Sequence, residues 1–363
     1  MTRPPDYAGG SLVNLIAEVE FRLTGTARTP RLHPEVAAGI PDAPSYVIVL
    51  FDGLGADQLQ HPAAGLAADM IGRIDAPFPT TTTVSLATVA TGLPPSQHGL
   101  LGYQLWMPNI EQVVNTIKWT TLWGEPLDYD TNDLLPTPNL WERLTSAGIE
   151  PITVQPGHFA GSPLTQALYR GCRFEPVFTV EEVVSATIDL AAQPGRLLFT
   201  YVPHVDFAAH VYGQDSREYV DSLEVATGIW EGIAHRLPAG SVMIGTADHG
   251  HVDFPEARRV RLPKEIEEDR ILYGDSRAMF VKGAESPAFA DLPATWIAAG
   301  EVLDWWGPGP RHPAFDGRAP DGILLADDDA ALLHSHSDKR LIGHHGALST
   351  AEREVPLLVA GAD

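Results

Sequence analysis

The sequence predicts an α/β fold with a mostly parallel central sheet and helices on both of its faces. Short apolar runs rich in β-branched residues alternate with segments of helical periodicity, and this alternation is typical of layered α/β domains. The chain has 363 residues, 44% of them hydrophobic, so it is long enough to bury a substantial core. Acidic and histidine side chains follow several of the predicted strands, where sheets of this class form their functional sites.

Five apolar runs are predicted to be buried strands because they are short, mostly apolar and bounded by turn residues. These runs are Tyr46–Phe51, Ile152–Val154, Leu197–Val202, Val242–Thr246 and Val355–Val359. Helices are predicted over residues 84–91, 138–144, 181–192 and 217–237, with glycine stop residues at 92 and 148 after the first two.

The segment 255–338 differs from the rest of the chain. It is rich in charge, proline and tryptophan, and its secondary-structure pattern is short and irregular. We expect it to be a small inserted cap. The core would then consist of residues 1–254 and 339–363, and the last predicted strand would return the chain to the central sheet.

The overall charge and composition exclude some classes of function. A net charge of −23 opposes the binding of nucleic-acid polymers. The single cysteine, Cys172, excludes an intrachain disulfide and is expected to be structural. The first residues do not resemble a secretory leader, and no apolar run reaches the length of a membrane span, so we expect a soluble, cytoplasmic protein without a membrane partner. The oligomeric state cannot be predicted.

Several predicted strands lead into acidic and histidine residues. The strand Tyr46–Phe51 ends at Asp52, which could bind a ligand or simply cap the following helix. After Leu197–Val202 come Asp206 and His210, which would share one face of a helix and could bind one cation. A direct hydrogen bond between these two side chains is the alternative.

Two further groups complete this pattern. Asp248 and His249 follow the strand Val242–Thr246, and the histidine pair His344 and His345 precedes the last strand. Each of these groups alone could be a solvated loop. Because a parallel sheet aligns its strand ends, however, they would converge and supply three oxygen or nitrogen ligands for each of two ions. The predicted ligands are Asp52, Asp206, His210, Asp248, His249 and His345. Zinc suits the histidines best, and manganese or iron is less favoured.

A run of four threonines, Thr80–Thr83, precedes the predicted helix 84–91. A threonine hydroxyl beside two divalent ions can act as a nucleophile, and the main-chain N–H groups of a helix start favour an anion. This chemistry needs one threonine, and the others would cap the helix or form the turn.

These motifs occur in the order of a known family. The sequences DGLG, FPTTTT with TGLPPSQHG, Asp-x-x-x-His, ADHG and GHHG, from about Tyr46 to Gly346, resemble the type I phosphodiesterase/nucleotide pyrophosphatase family of the alkaline phosphatase superfamily. The resemblance implies an alkaline-phosphatase-like layered sandwich.

The resemblance also implies the site and its two zinc ions. Thr82 corresponds to the nucleophile and would bind one zinc together with Asp52, Asp248 and His249. The other zinc would be bound by the remaining predicted ligands, Asp206, His210 and His345.

Substrate contacts are less determined by the sequence. Nucleotide pyrophosphatases of this family follow the nucleophile with Phe-Pro-Asn, whereas this chain has Thr83-Val84-Ser85. Ser85, or a main-chain N–H near Thr83, would then contact a phosphate oxygen. Tyr103, Trp106 and Trp119 are predicted substrate walls because they follow the nucleophile loop, with a place in the core as the alternative.

The predicted function is therefore a dinuclear zinc phosphoesterase acting on small phosphate esters, nucleotides among them, through a phosphothreonine intermediate. It would cleave phosphodiester or pyrophosphate bonds. Activity like that of a phosphonoacetate hydrolase or a phosphomonoesterase at the same site is the alternative within enzymes, although no arginine between Phe78 and Gly102 could clamp a monoester. The lack of a C/S-x-P-x-R motif argues against a sulfatase. A non-catalytic, metal-bound binding module is the alternative of another class.

Overall fold

A computed structural model describes residues 3–361 as two seven-stranded sheets with associated helices. The strand order of the first sheet is β2-β18-β9-β1-β8-β6-β7. Here the strands are numbered along the chain as β1 Ser45–Phe51, β2 Met70–Asp75, β3 Gln104–Met107, β4 Gln112–Asn115, β5 Thr120–Thr121, β6 Glu150–Pro156, β7 Arg173–Val177, β8 Arg196–Val202, β9 Ser241–Thr246, β10 Val252–Asp253, β11 Arg259–Arg261, β12 Ile271–Gly274, β13 Ala278–Lys282, β14 Ala294–Ala298, β15 Gly322–Ala326, β16 Ala331–Leu333, β17 Gly343–His344 and β18 Glu354–Gly361.

The first sheet is mostly parallel, as predicted. Strands β9, β1, β8, β6 and β7 pair in parallel, and only β18 runs antiparallel to its neighbours β9 and β2. All residues of β1, β8 and β9 are buried, because both faces of a parallel sheet are covered. The five predicted strands are thus confirmed, each extended by one or two residues at one or both ends.

Helices cover this sheet in two groups, which supports the predicted layered architecture. One group contains α1, α3 and α5, which pack on one another, and α9 packs on α7 and α8 in the other. The α-helices are α1 Leu12–Thr24, α2 Pro34–Ala37, α3 Thr82–Thr91, α4 Pro95–His98, α5 Leu140–Ser146, α6 Pro163–Leu168, α7 Val180–Ala191, α8 His204–Tyr212, α9 Arg217–Ala234, α10 Lys264–Glu268, α11 Ala299–Val302, α12 Phe315–Arg318 and α13 Thr350–Arg353.

The predicted helices begin where the sequence provides a cap. The side chains of Asn139, Thr179 and Ser216 accept hydrogen bonds from main-chain N–H groups in the first turns of α5, α7 and α9. Helix α3 ends at Gly92, which adopts the left-handed conformation that glycine favours. Among the residues that the structure describes, none of the helices combines the length and the apolar character needed to cross a bilayer.

The second sheet is antiparallel, with the order β14-β15-β13-β12-β3-β4-β5. Four of its strands come from the segment 255–338, but β3, β4 and β5 come from residues 104–121. A small apolar core that includes Leu272, Val281 and Leu324 lies on this sheet, while Tyr273, Phe280 and Ile323 join the main core. The domain boundaries remain a prediction. If the second sheet defines the cap, the cap also includes residues 104–121.

Candidate metal centre

Three aspartates converge at the carboxyl edge of the parallel sheet. Strands β8, β1 and β9 are neighbours, and their last residues are paired in register: Phe51 lies opposite Val202, and Leu50 opposite Thr246. Asp52, Asp206 and Asp248 follow these three strand ends within a few residues. The sheet therefore gathers side chains that are up to 196 residues apart in the chain (248 minus 52).

The turn after β1 depends on a glycine. Gly53 has a φ of 72°, in the left-handed region that glycine favours. A Cβ at this position would also come within 2.8 Å of the Cα of Asp206. Glycine therefore allows the β1 turn and the start of α8 to pack closely, and this contact brings Asp52 and Asp206 together.

The first group of side chains, here called the buried cluster, consists of Asp52, Asp248 and His249. The Nε2 atom of His249 is 3.6 Å from Asp52 Oδ1 and 3.5 Å from Asp248 Oδ2. The Thr82 hydroxyl oxygen lies 3.2 Å from the same Nε2 atom. All three members of the cluster are almost fully inaccessible to solvent, whereas Thr82 faces a cavity.

The second group, here called the cavity-facing cluster, consists of Asp206, His210 and His345. The His210 Nε2 atom is 3.4 Å from Asp206 Oδ1 and 3.2 Å from His345 Nε2. His345 Nε2 is 4.0 Å from Asp206 Oδ1. All three side chains line the cavity. Helix α8 supplies Asp206 and His210 one turn apart, as the sequence predicted.

The three histidines of the two clusters share one hydrogen-bonding arrangement. The Nδ1 atoms of His210, His249 and His345 lie 2.7, 3.1 and 2.7 Å from main-chain carbonyl oxygens. A carbonyl oxygen can only accept, so each Nδ1 carries a hydrogen, and in the neutral form of the ring Nε2 then has the lone pair. An imidazole ligand of a metal is held in this way, by a hydrogen bond from its other nitrogen.

The carboxylates of the buried cluster leave one oxygen atom each without a protein partner. Asp248 Oδ1 accepts hydrogen bonds from the main-chain N–H groups of Gly53 and His249, each at 3.0 Å, and Asp52 Oδ2 accepts one from Tyr201. Asp52 Oδ1 and Asp248 Oδ2 are buried and have no partner within residues 3–361. Buried, unpaired carboxylate oxygens are costly unless a cation is bound.

The electrostatics of the buried cluster favour a bound cation. Burial, followed by repulsion from Asp206 and Asp248, raises the pKa of Asp52 well above its ordinary value. Burial alone would raise the pKa of Asp206 too, but His210 and His251 outweigh it and lower that pKa. Burial, together with the neighbouring histidines, holds the pKa of His345 well below its usual range, so its imidazole is neutral and can be a ligand.

The donor atoms fit a pair of metal ions. Two nitrogen or oxygen ligands of one tetrahedral zinc, each about 2.0–2.1 Å from it, lie about 3.3 Å apart. Most of the separations within the two clusters are close to this value, as the distances above show. The donor atoms of the buried cluster lie within 4.8 Å of one another, and His249 also lies within this distance of Asp206 and His345. The two clusters are therefore adjacent.

Each member of the threonine run has a different environment. The Thr80 hydroxyl donates to the Ala347 carbonyl at 2.8 Å and accepts from the Gly346 N–H at 3.0 Å, and its own carbonyl accepts from His345. The Thr81 hydroxyl donates to Asp275 at 3.1 Å. Thr82 is the first residue of α3 and faces the cavity, while the Thr83 hydroxyl is buried.

The cavity beside Thr82 has a volume of about 710 Å³. Of the predicted substrate-binding residues, some line this cavity and others do not. Tyr103 lines it. Ser85 is fully buried, donates its hydrogen to the Asp248 carbonyl at 2.7 Å and does not line the cavity. Trp119 is also buried outside the cavity lining, where it stacks on Tyr129 at 5.5 Å. We therefore retain only Tyr103 as a candidate substrate contact.

Sequence reasoning missed two side chains at this site. His251 Nε2 lies 2.7 Å from Asp206 Oδ1, and its donor atom falls within the group formed by Asp206, His249 and His345. Asp275 lines the cavity next to Thr81, and burial raises its pKa to about 7. The closely spaced histidines of Asp248-His249-Gly250-His251 could have indicated His251 from the sequence. No sequence signal indicates Asp275, because it lies in the turn between β12 and β13 of the second sheet.

A hydroxyl beside one of two adjacent carboxylate–imidazole clusters, at the carboxyl edge of a parallel sheet, fits the site of a metal-dependent hydrolase. Residues 46–348 match the family model described as type I phosphodiesterase/nucleotide pyrophosphatase, and the chain belongs to this family. The family assignment and the fold implied by the sequence motifs are both confirmed.

Two solved structures have a similar fold. Murine ectonucleotide pyrophosphatase/phosphodiesterase 5 is similar with a TM-score of 0.66 and 18% identity, over 87% of this chain and 88% of the other. Phosphonoacetate hydrolase from Sinorhizobium meliloti 1021, in complex with phosphonoacetate, is similar with a TM-score of 0.63 and 17% identity, over 88% and 91% of the two chains.

One curated relative is an uncharacterized pyrophosphatase/phosphodiesterase of Schizosaccharomyces pombe, strain 972. It is 25% identical over 241 residues, which cover 60% of this chain and 46% of the relative. The chain therefore matches less than half the length of this relative.

Proposed function

We propose that the protein is a dinuclear zinc phosphoesterase that hydrolyses phosphodiester or pyrophosphate bonds of small substrates through a phosphothreonine intermediate. The observation that carries this proposal is the position of Thr82. Its hydroxyl oxygen is 3.2 Å from His249 Nε2 in the buried cluster, and it faces the cavity that the other cluster lines. An inactive variant of the murine relative, with alanine in place of a threonine, supports the importance of such a hydroxyl.

The two clusters would each hold one zinc ion. Asp52, Asp248 and His249, with the Thr82 hydroxyl, are proposed to bind one, and Asp206, His210 and His345 the other. When bound, the ions would lower the pKa of the Thr82 hydroxyl and neutralise charge on the transferring phosphoryl group.

The protein groups would then act as follows. Thr82 would form a bond to phosphorus while the bond from phosphorus to the leaving group breaks. Water would replace Thr82 in the second step and restore its hydroxyl. Because Thr82 begins the ten-residue helix α3, main-chain N–H groups of its first turn would favour the phosphoryl anion. The hydrogen bonds from Thr80 and Thr81 would keep the nucleophile loop in place.

The cavity supports a diester with an uncharged organic group as the substrate. Among residues 3–361, Lys118 is the one lysine or arginine in its lining, whereas a doubly charged monoester is usually bound by an arginine clamp. Exposed apolar side chains, Ile117, Phe207 and Val211, also line it. Such side chains gain by contacting an apolar part of a ligand. AMP is the ligand of the murine relative in one structure, so a nucleotide is one such substrate.

Phosphonoacetate hydrolysis is a second candidate. Lys118 in the cavity supplies the cation that would pair with the substrate carboxylate, and phosphonoacetate is the ligand in the structure of the bacterial relative. The exposed apolar side chains of the lining favour the diester, because an uncharged organic group can pack against them.

The test is hydrolysis of bis-p-nitrophenyl phosphate, p-nitrophenyl phosphate and phosphonoacetate by the zinc-loaded protein, each with and without a chelator. We expect the diester to be cleaved fastest and chelation to abolish its cleavage. Faster release of acetate from phosphonoacetate would favour the second candidate. A protein that binds zinc but cleaves none of these substrates would contradict the proposal and support a binding module.

A further inference from the structure

His251 differs from the three other histidines of the site in its hydrogen bonding. Its Nε2 atom, at 2.7 Å from Asp206 Oδ1, faces a carboxylate, and its Nδ1 atom is buried without a partner among the residues described. A carboxylate oxygen accepts, so the hydrogen of the neutral ring is on Nε2. His210, His249 and His345 carry theirs on Nδ1. In the neutral rings, the Nε2 atom is therefore a hydrogen-bond donor in His251, whereas it has a lone pair in His210, His249 and His345.

The distance also distinguishes His251 from a ligand. The candidate ligand atoms within the two clusters are 3.2 to 4.0 Å apart, which leaves space for an ion bound by both members of a pair. At 2.7 Å, the His251 Nε2 and Asp206 Oδ1 atoms are within direct hydrogen-bonding distance and too close for two ligands of one tetrahedral ion.

The ring of His251 has little freedom to turn. It is only 1% exposed. A Cβ on Gly53 would lie 3.0 Å from its Cδ2 atom, and a Cβ on Gly343 would lie 2.9 Å from its Nδ1 atom. The main chain therefore approaches the imidazole from two directions, and the direction of its N–H bond is fixed by packing.

We propose that His251 is a positioning residue, whose N–H group holds the Asp206 carboxylate in the orientation that binds the ion of the cavity-facing cluster. Asp206 needs such a donor because it is on the first turn of α8, beside the cavity, and is 18% exposed, whereas Asp248 is held by two main-chain N–H groups. Tyr201 has the equivalent role for Asp52 in the buried cluster.

The experiment compares zinc affinities of His251→Met, His251→Gln and Tyr201→Phe by competition with a chromophoric chelator, and it does not depend on activity. Asp52→Asn and Asp206→Asn identify which binding step belongs to which cluster. We expect His251→Met to weaken the ion of the cavity-facing cluster about 10- to 100-fold and to leave the other unchanged. Tyr201→Phe should show the opposite pattern. His251→Gln, which retains a terminal N–H donor, should restore most of the affinity.

Three results would overturn this inference. His251→Met could bind both ions as the wild type does, which would mean that the hydrogen bond has no role. His251→Gln could be as weak as His251→Met while the visible spectrum of the cobalt-substituted protein changes, which would make the imidazole a ligand. Equal weakening of both ions with a lower melting temperature would indicate a structural role only.

The inference rests on the proposed two-ion site but can fail separately from the proposed activity. Wild-type protein that binds two ions without cleaving a diester would contradict the activity and leave the affinity comparison valid. Wild-type protein that cleaves the diester, together with unchanged affinities in His251→Met, would contradict only the role of His251.

Discussion

The two clusters of the candidate metal centre are built from similar side chains in different surroundings. The buried cluster comes from strand ends, and its side chains are 0 to 5% exposed. The cavity-facing cluster comes from α8 and the loop before α13, and its side chains are 9 to 21% exposed. Main-chain N–H groups hold Asp248, whereas a side chain, His251, holds Asp206.

From this difference we infer that the two clusters have different roles. The rigid, enclosed one holds the nucleophile, and Thr82 is the one proposed ligand of this ion that faces the cavity. The other cluster is accessible to the substrate and to water. The predictions below test this division in order of decreasing effect.

Thr82→Ala tests whether the hydroxyl beside the buried cluster is the nucleophile. We expect the rate of diester cleavage to fall by about 10⁴-fold, because the nucleophile is lost, while zinc content stays near that of the wild type, because six other ligands remain. Activity and elemental analysis measure the two effects. Thr83→Val is the matched control, since the Thr83 hydroxyl is buried without a partner in the described structure and its loss should change the rate little. Near-wild-type activity in Thr82→Ala would show that another group is the nucleophile.

Asp248→Asn tests the rigidity of the buried cluster. The amide oxygen would keep the hydrogen bonds from Gly53 and His249, so the NH₂ group would replace the oxygen that faces the ion. An NH₂ group donates and cannot bind a cation. We expect about a 10³-fold loss of activity and the loss of one zinc.

The comparison variant is His210→Asn, in the cavity-facing cluster. Because solvent can reach this position, water can replace the lost ligand, and we expect a smaller loss of zinc affinity and activity than in Asp248→Asn. Full zinc occupancy in Asp248→Asn, or a larger effect in His210→Asn, would contradict the division between the clusters.

Tyr103→Phe tests the cavity side. The side-chain oxygen of Asn115 accepts from the main-chain N–H groups of Ile117 and Lys118, so its NH₂ group donates to the Tyr103 oxygen at 2.7 Å. The Tyr103 hydrogen is then available to the substrate. We expect about a tenfold loss in kcat/KM, the value of one hydrogen bond, and none in the control Tyr212→Phe. Equal effects in both variants would exclude a specific role for this hydroxyl.

Phe207→Ala tests the apolar lining. Phe207 is 61% exposed and lines the cavity, whereas Phe178 is 77% exposed elsewhere. We expect a roughly fivefold rise in KM for bis-p-nitrophenyl phosphate, because an apolar contact of about 1 kcal/mol is lost. KM for methyl p-nitrophenyl phosphate should rise less. If Phe178→Ala has the same effect, contact with Phe207 is not its cause.

The last prediction concerns stability rather than activity, namely the pH dependence of unfolding of the metal-free protein. Burial raises the pKa of Asp275 from 3.8 to about 7, so the folded state binds its proton more tightly than the unfolded chain does. The contribution of Asp275 to the free energy of unfolding is therefore greatest at low pH and falls as the pH rises from about 4 to about 7. Urea unfolding at about pH 5 and about pH 8 should show a larger loss for the wild type than for Asp275→Asn. An equal loss would contradict the raised pKa.

The sequence was informative where one physical rule dominates. Parallel strands that are buried on both faces are continuous apolar runs, so β1, β8 and β9 and the aspartates at their ends could be predicted. The second sheet could not, because its strands have two to five residues and partners far apart in the chain. Burial of Trp119 likewise depends on its neighbour Tyr129. The role of His251 depends on which of its nitrogens carries the hydrogen, and that is determined only by Asp206.

The hydrogen bonds of Thr80 have a consequence for biosynthesis. They join the nucleophile loop to residues 345–347, more than 260 positions later in the chain. A nascent chain that does not yet reach residue 345 therefore lacks the partners that hold this loop. We expect the candidate site to be complete only after residues 345–347 have been synthesised and have folded against this loop.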